Sequence, residues 1–249
     1  MNFINPILLL ISILSASMTV FARDPPQITL DIACSMYYPY VYQQDEQIKG
    51  KFYEIAELVA NQANIPFRYR LLPWARVFNY GLTKENFLVG CLGRTLKREQ
   101  LFYWIGPLTS RVDVHFYQHA SSDAKIRILS DLKAYKIAVQ RQSFYEDFLI
   151  AMNFPPESIQ AVTSQEQLFL LLVEKRVDFF LIDDITFANM PARLHISPDL
   201  FKKSLFAFSM QEYLALSKKT SKTIYERLSA AYKELESNGQ LRHLISHPE

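Results

Sequence analysis

Glycine is scarce in this chain, at 6 of 249 residues, while 49% of the residues are hydrophobic and 14% aromatic. So few glycines among so many large side chains exclude a low-complexity or disordered chain and point to a packed globule. An excess of one charge is also missing. The formal net charge is +2, and the basic residues are spread along the chain with no long run. That pattern gives no reason to expect a nucleic-acid partner. No GxSxG, CxxC or HExxH motif occurs, and neither does a repeat of solenoid length. His115 and His119, and His243 and His247, share helix-like spacing. The first pair lies in a strand pattern and the second in the C-terminal tail, without a third ligand, so neither a metal nor a cofactor is expected. Cysteine is limited to Cys34 and Cys91, each at the end of an apolar strand-like run. In an oxidising compartment they can form a disulfide. As free thiols they would pack as small apolar groups, and the sequence leaves both options open.

What is present begins with a targeting pattern. Residues 6–20 form a run without charge, and Val20, Phe21 and Ala22 suit a cleavage site. Residues 1–22 are therefore expected to be a cleaved signal peptide that exports the chain. The segment before the run lacks Lys and Arg. The alternative, a retained anchor, meets a run that is short for a span and no later stop-transfer segment. No cysteine stands at the cleavage point to carry a lipid.

The chain is long enough for one large domain or two lobes with real cores. It reads as two successive α/β sets. In the first, strands are expected at 28–33, 67–72 and 87–91, with helices at 51–64 and 74–81. Phe52, Ile55, Ala56, Val59 and Ala63 share one face of the first helix, and Pro73 starts the second. An aromatic loop, 34–42, follows the first strand, and a polar turn covers 43–50. Extended residues 111–119 lead to the second set. It has strands at 135–139, 158–162 and 177–182, with helices starting after Ser143 and Ser164 and a short one at 185–190. Strands at 203–208 and 212–217 follow. A long helix capped by Ser221 ends at Asn238 and Gly239. Strands alternating with helices argue for open α/β sheets with helices on their faces.

Residues 87–107, FLVGCLGRTLKREQLFYWIGP, form the stretch the rest is organised around. An apolar strand meets a glycine-marked turn and then a basic segment. Thr95 can cap that turn, and Arg98 offers a planar fork that matches a carboxylate. A strand delivering both to the open end of a sheet is a place to hold an anion.

With these pieces in order, the chain resembles the periplasmic solute-binding proteins of polar amino-acid uptake systems, the type II, family-three group. The resemblance rests on Tyr37, Pro39 and Tyr40, on Gly50-Lys51-Phe52, and on Thr95-Leu-Lys-Arg98 followed by aromatics and Gly106-Pro107. It extends through Val139 to Ser143, Val177-Asp178 to Asp183, Ser217-Lys-Lys and Asn238-Gly239. It implies an α/β fold of two lobes, each an open mixed sheet flanked by helices, with a hinge between them. Lobe one would comprise residues 23–112 and 207–249, and lobe two residues 113–206. Ligands would bind beyond the carboxyl ends of the strands.

By the same resemblance, Arg98 would grip a ligand α-carboxylate from lobe one and Asp183 would take the α-ammonium from lobe two. Thr95 would join the ligand-binding residues beside Arg98. Ser143 would add a hydroxyl at a helix N-terminus, and Tyr37 would cover the ligand side chain. Trp74 and Arg76 would line the rim. Gln142 stands where the family usually has glycine, and Cys34 where an acid is common. Arg94 would either select a second anionic group or pair with Glu99. The implied activity is non-enzymatic: a monomer captures an amino acid or related small carboxylate and delivers it to an inner-membrane ABC permease. A sensing module for a receptor and a cleft enzyme such as a dehydratase are the competing readings. A cleft enzyme would need a general acid near the ligand, for which Glu54, Asp183 and Asp184 are the candidates.

Overall fold

The strands that read as unbroken apolar runs lie at the centres of two separate sheets, where both faces are covered. A computed structural model describes residues 28–246. The expected signal segment, the lead-in at 24–27 and His247 lie outside the described residues. In chain order come β1 (Leu30–Cys34), β2 (Tyr42–Gln44), β3 (Gln47–Lys49), α1 (Lys51–Gln62), β4 (Phe67–Leu71), α2 (Trp74–Thr83), β5 (Phe87–Gly93) and β6 (Phe102–Ile105). There follow β7 (Val112–His119), β8 (Ile137–Gln140), α3 (Phe144–Ala151), β9 (Ile159–Val162), α4 (Glu166–Val173), β10 (Phe179–Asp183) and α5 (Asp184–Arg193). The chain closes with β11 (Phe201–Met210), β12 (Glu212–Ser217), α6 (Lys222–Ser237) and α7 (Arg242–Ser246).

The first sheet has the order β4-β1-β5-β12-β6 and the second β11-β7-β10-β8-β9. In the first, β1 runs parallel to β4 and β5, while β12 is antiparallel to β5 and β6. In the second, β8 runs parallel to β9 and β10, while β7 is antiparallel to β10 and β11. Every residue of β5 and of β10 is buried, as central strands of a sheet covered on both faces require. Two distinct apolar cores result. The first draws Ile224, Leu228 and Leu235 from α6, and the second draws Leu168, Phe169 and Leu172 from α4.

Local chemistry explains the element starts. Gly50 takes φ 105° before α1, and a Cβ there would collide with the Tyr40 carbonyl. Ser143, Asp183 and Ser221 each accept a backbone N–H from the first turn of α3, α5 and α6. In α1, Phe52, Ile55, Ala56, Val59 and Ala60 form the buried stripe. Each large apolar side chain so buried is worth about 1.5–3 kcal/mol.

The chain changes sheets twice, between β6 and β7 and at Gln211. The two crossings are tied together. Leu108 N–H donates to the Glu212 carbonyl at 2.7 Å, and Glu212 N–H to Thr109 Oγ1 at 3.2 Å. β11 stays paired with β7 to Met210 through two register shifts. The return crossing is therefore four residues beyond the expected 206/207 boundary. The expected turn at 43–50 forms, with Tyr42, the two-stranded β2–β3 hairpin. Among the described residues, no helix is long and apolar enough to cross a membrane, and no group of three or more His, Cys, Asp or Glu is poised for a metal.

Candidate functional site

The carboxyl ends of the parallel strands of both sheets converge on one small pocket between the lobes. From the first lobe come Ser35 and Tyr37 after β1, Cys91 and Gly93 of β5, Trp74 of α2, and Arg98. Gln140, Ser143, Tyr145 and Gln165 face them from the second lobe, and Met210 and Glu212 close the hinge end. The cavity is about 30 Å³, room for one or two waters. The lobes meet across it.

Arg98 is 2% exposed. Its turn is held as expected: Arg98 N–H donates to the carbonyl and Oγ1 of Thr95, at 3.0 and 3.2 Å. Thr95 itself, expected among the ligand-binding residues, is half-buried and stays outside the cavity lining because its hydroxyl is spent on that turn. The guanidinium lies 5.0 Å over the Phe78 ring. Nη2 donates to Asp147 Oδ2 at 2.8 Å and to the Gln142 carbonyl at 3.2 Å, both on the second lobe. Nε and Nη1 are buried without a protein partner. Burial pulls the Arg98 pKa down, opposed by the Asp147 carboxylate. Lys97 also reaches Asp147, at 2.5 Å.

Trp74 lines the cavity and donates from Nε1 to the Gln142 carbonyl at 2.9 Å. That carbonyl serves both lobe-one donors, and Gln142 takes φ 57°. This is the left-handed conformation that a glycine adopts freely and that costs other residues about 1–2 kcal/mol. Ser143 lines the cavity, with its hydroxyl accepting from Glu146 N–H at 3.3 Å. Arg76 departs from expectation. It sits on the exposed face of α2, whose buried residues are Trp74, Val77 and Gly81, so helical geometry turns it away from the cavity.

Asp183 is fully buried and does not line the cavity. Oδ2 accepts from Tyr37 and Tyr145 hydroxyls at 3.0 and 3.1 Å. Oδ1 accepts from the Tyr40 hydroxyl at 3.0 Å and from Thr186 N–H at 2.9 Å. Burial first, and then the charge of Asp183, push the three tyrosine hydroxyls well above their ordinary pKa, which keeps them protonated as donors. Tyr37 and Tyr145 thus stand between the cavity and Asp183.

Glu212 is the acid that sequence reasoning missed. It is 6% exposed, lines the cavity, and its Oε2 has no protein partner. Burial pushes its carboxyl up to about 8, Asp183 adds to the rise, and Arg98 opposes it. The available signal was a lone acid heading the apolar run Glu212–Ser217. Cys34 and Cys91 are joined, with Cα atoms 5.7 Å apart, and the bridge backs the cavity. Arg94 is taken by Glu99, through Nε at 2.8 Å and Nη2 at 2.6 Å.

The model of the bacterial extracellular solute-binding proteins, family 3, matches residues 30–247. This chain belongs to that family. The family-3 membership agrees with the resemblance carried by the Thr95 to Arg98 segment and its neighbours. Among solved structures, a histidine kinase sensor domain with similarity to periplasmic binding proteins superposes with a TM-score of 0.78 at 16% identity, covering 87% of this chain and 93% of that one. The arginine-, lysine-, histidine-binding protein ArtJ from the thermophilic bacterium Geobacillus stearothermophilus gives 0.74 at 16%, covering 87% and 93%. A P235GK mutant of ArgBP from T. maritima gives 0.74 at 18%, again covering 87% and 93%. A comparison with the curated proteins found no match. These structures share the two-lobed type II periplasmic binding fold with this solute-binding chain.

Proposed function

We propose that the protein captures an amino acid or a related small carboxylate in the interlobe cleft by hinge closure, and delivers it from the periplasm to an ABC permease. The observation that carries this reading is Arg98: a buried guanidinium lining the cavity, with Nε and Nη1 free of protein partners. Leaving buried donors unmade costs about 1–3 kcal/mol, more for a charged group. A ligand carboxylate would satisfy them. Ser143, Tyr37 and Trp74 form the wall around it.

A cavity with room for about two waters is too small for most amino acids, so their entry requires the lobes to part. A ligand gripped by both lobes favours the closed state by its differential affinity, and that difference drives closure. The solved structures of arginine-binding proteins on this fold are consistent with an amino-acid ligand.

The test is a thermal-shift screen over the L-amino acids, organic acids and polyamines. At least one α-amino acid should raise the melting temperature, by linkage to the folded state, and Arg98→Ala should abolish that shift. If only polyamines or neutral solutes raise it, the reading is wrong. The sensor-domain structure on the same fold favours a second reading, in which the bound solute is reported to a receptor instead of transported. Normal uptake of the identified ligand by a strain lacking the protein would select that second reading.

A further inference from the structure

We infer that Glu212, at the hinge, is the acidic group that receives the ligand's α-ammonium, and that Asp183 instead fastens the tyrosine wall. The inference rests on the function proposed above and assigns its cation-binding half. The lone pairs of Asp183 are already used. An ionised carboxylate offers about four acceptor sites, and Tyr37, Tyr40, Tyr145 and Thr186 N–H occupy that many. An ammonium reaching Asp183 would have to displace a tyrosine hydroxyl from a fully buried position.

Glu212 has the opposite character. It lines the cavity, and Oε2 is enclosed without a protein partner. No ion pair joins it to Arg98 or to any other cation among the described residues. Gln165 Oε1, on the facing lobe, is a second enclosed acceptor without a partner in the same lining. The cavity therefore holds unmade donors on Arg98 and unmade acceptors on Glu212 and Gln165. That set complements a zwitterion, whose two charges must both be paired when it leaves water.

The position of Glu212 is fixed by the hinge. Its backbone carbonyl and N–H are bound to Leu108 and Thr109 of the other crossing segment. An ammonium held there ties the ligand to both crossings and, through Gln165, to the second lobe.

The ionisable groups around Glu212 are Asp183, Arg98 and the hydroxyls of Tyr37, Tyr40 and Tyr145. Burial and Asp183 keep the carboxyl protonated near neutrality, and Arg98 does not fully offset them. A bound ammonium favours the ionised form, so binding at pH 7 should release a proton to solvent.

The experiment is isothermal titration of the purified protein with each of the twenty standard L-amino acids at pH 7. It is run in two buffers of different ionisation enthalpy. The binding amino acid and its deaminated analogue are then titrated into Glu212→Gln and Asp183→Asn. Glu212→Gln should weaken the amino acid on the order of 100-fold and change the deaminated analogue only a few-fold. The wild type should release a proton on binding, and Glu212→Gln should not. If Glu212→Gln fails to fold, proton release by the wild type still decides the matter. If an amino acid binds without proton release, Glu212→Gln binds it as the wild type does, and Asp183→Asn abolishes binding, this inference is overturned while the proposed function stands. If no amino acid binds the wild type, this inference is overturned, and the proposed function falls as well only if no organic acid of the screen binds either.

Discussion

Burial holds the Glu212 carboxyl near 8 against an ordinary value of 4.5, and this has a consequence for stability. A carboxyl with a raised folded pKa binds more protons folded than unfolded between those two values. Its contribution is therefore complete below about pH 4.5 and is lost as pH rises toward 8. Without added ligand, denaturant midpoints should fall across that window, with a slope of up to about 1.4 kcal/mol per pH unit. Glu212→Gln should flatten the slope; an identical slope in the variant would show that Glu212 is not its source. Arg98 is tested by the conservative change. Arg98→Lys keeps the charge but loses the planar fork, so affinity for the bound amino acid should drop at least about 10-fold by calorimetry.

At the scale of elements, the disulfide joins the end of β1 to Cys91 within neighbouring β5 across a separation of 57 residues. In the chain-entropy picture a loop of that length is worth about 4 kcal/mol. Cys34→Ser with Cys91→Ser should lower the unfolding free energy by about that amount in urea titrations. An unchanged midpoint would mean that neighbouring β1–β5 pairing already confines the unfolded chain. Most of this framework was legible in the sequence, because the central strands are apolar runs and the helices carry stripes and caps. What escaped had physical reasons. The β2–β3 hairpin turns on Asp45 and Glu46, both at positive φ, where the usual signal is Asn or Asp followed by Gly. β11 carries its register shifts past Phe206, so its end shows no break in pattern. In the site, local motifs marked Arg98, Ser143, Trp74 and Tyr37, and all four line the cavity. The covering of Asp183 was hidden because Tyr37 and Tyr40 reach it from 146 and 143 residues away. Arg76 differs for a simpler reason: one helical step separates it from the buried face of α2.

Across the whole molecule, the two lobes are linked by polar bonds from one side to the other. Trp74 and Arg98 meet Gln142, Arg98 and Lys97 meet Asp147, and Tyr37 and Tyr40 meet Asp183. Each neutral bond of this kind contributes about 0.5–1.5 kcal/mol, and charged ones somewhat more. Together they bias the hinge toward closure, and a ligand needs to add only the remaining difference. Trp74→Phe combined with Asp147→Asn should open the lobes. Small-angle scattering without ligand should give a larger radius of gyration for the pair than for the wild type, and an unchanged radius would mean that other contacts hold the lobes together. The central claim is that a small carboxylate is clasped between the lobes by the buried guanidinium of Arg98. The most direct measurement is calorimetric titration of the best amino acid from the screen into wild type and Arg98→Ala. The account predicts one site in the wild type and a loss on the order of 100-fold or more in the variant; equal affinity in the two proteins would contradict it.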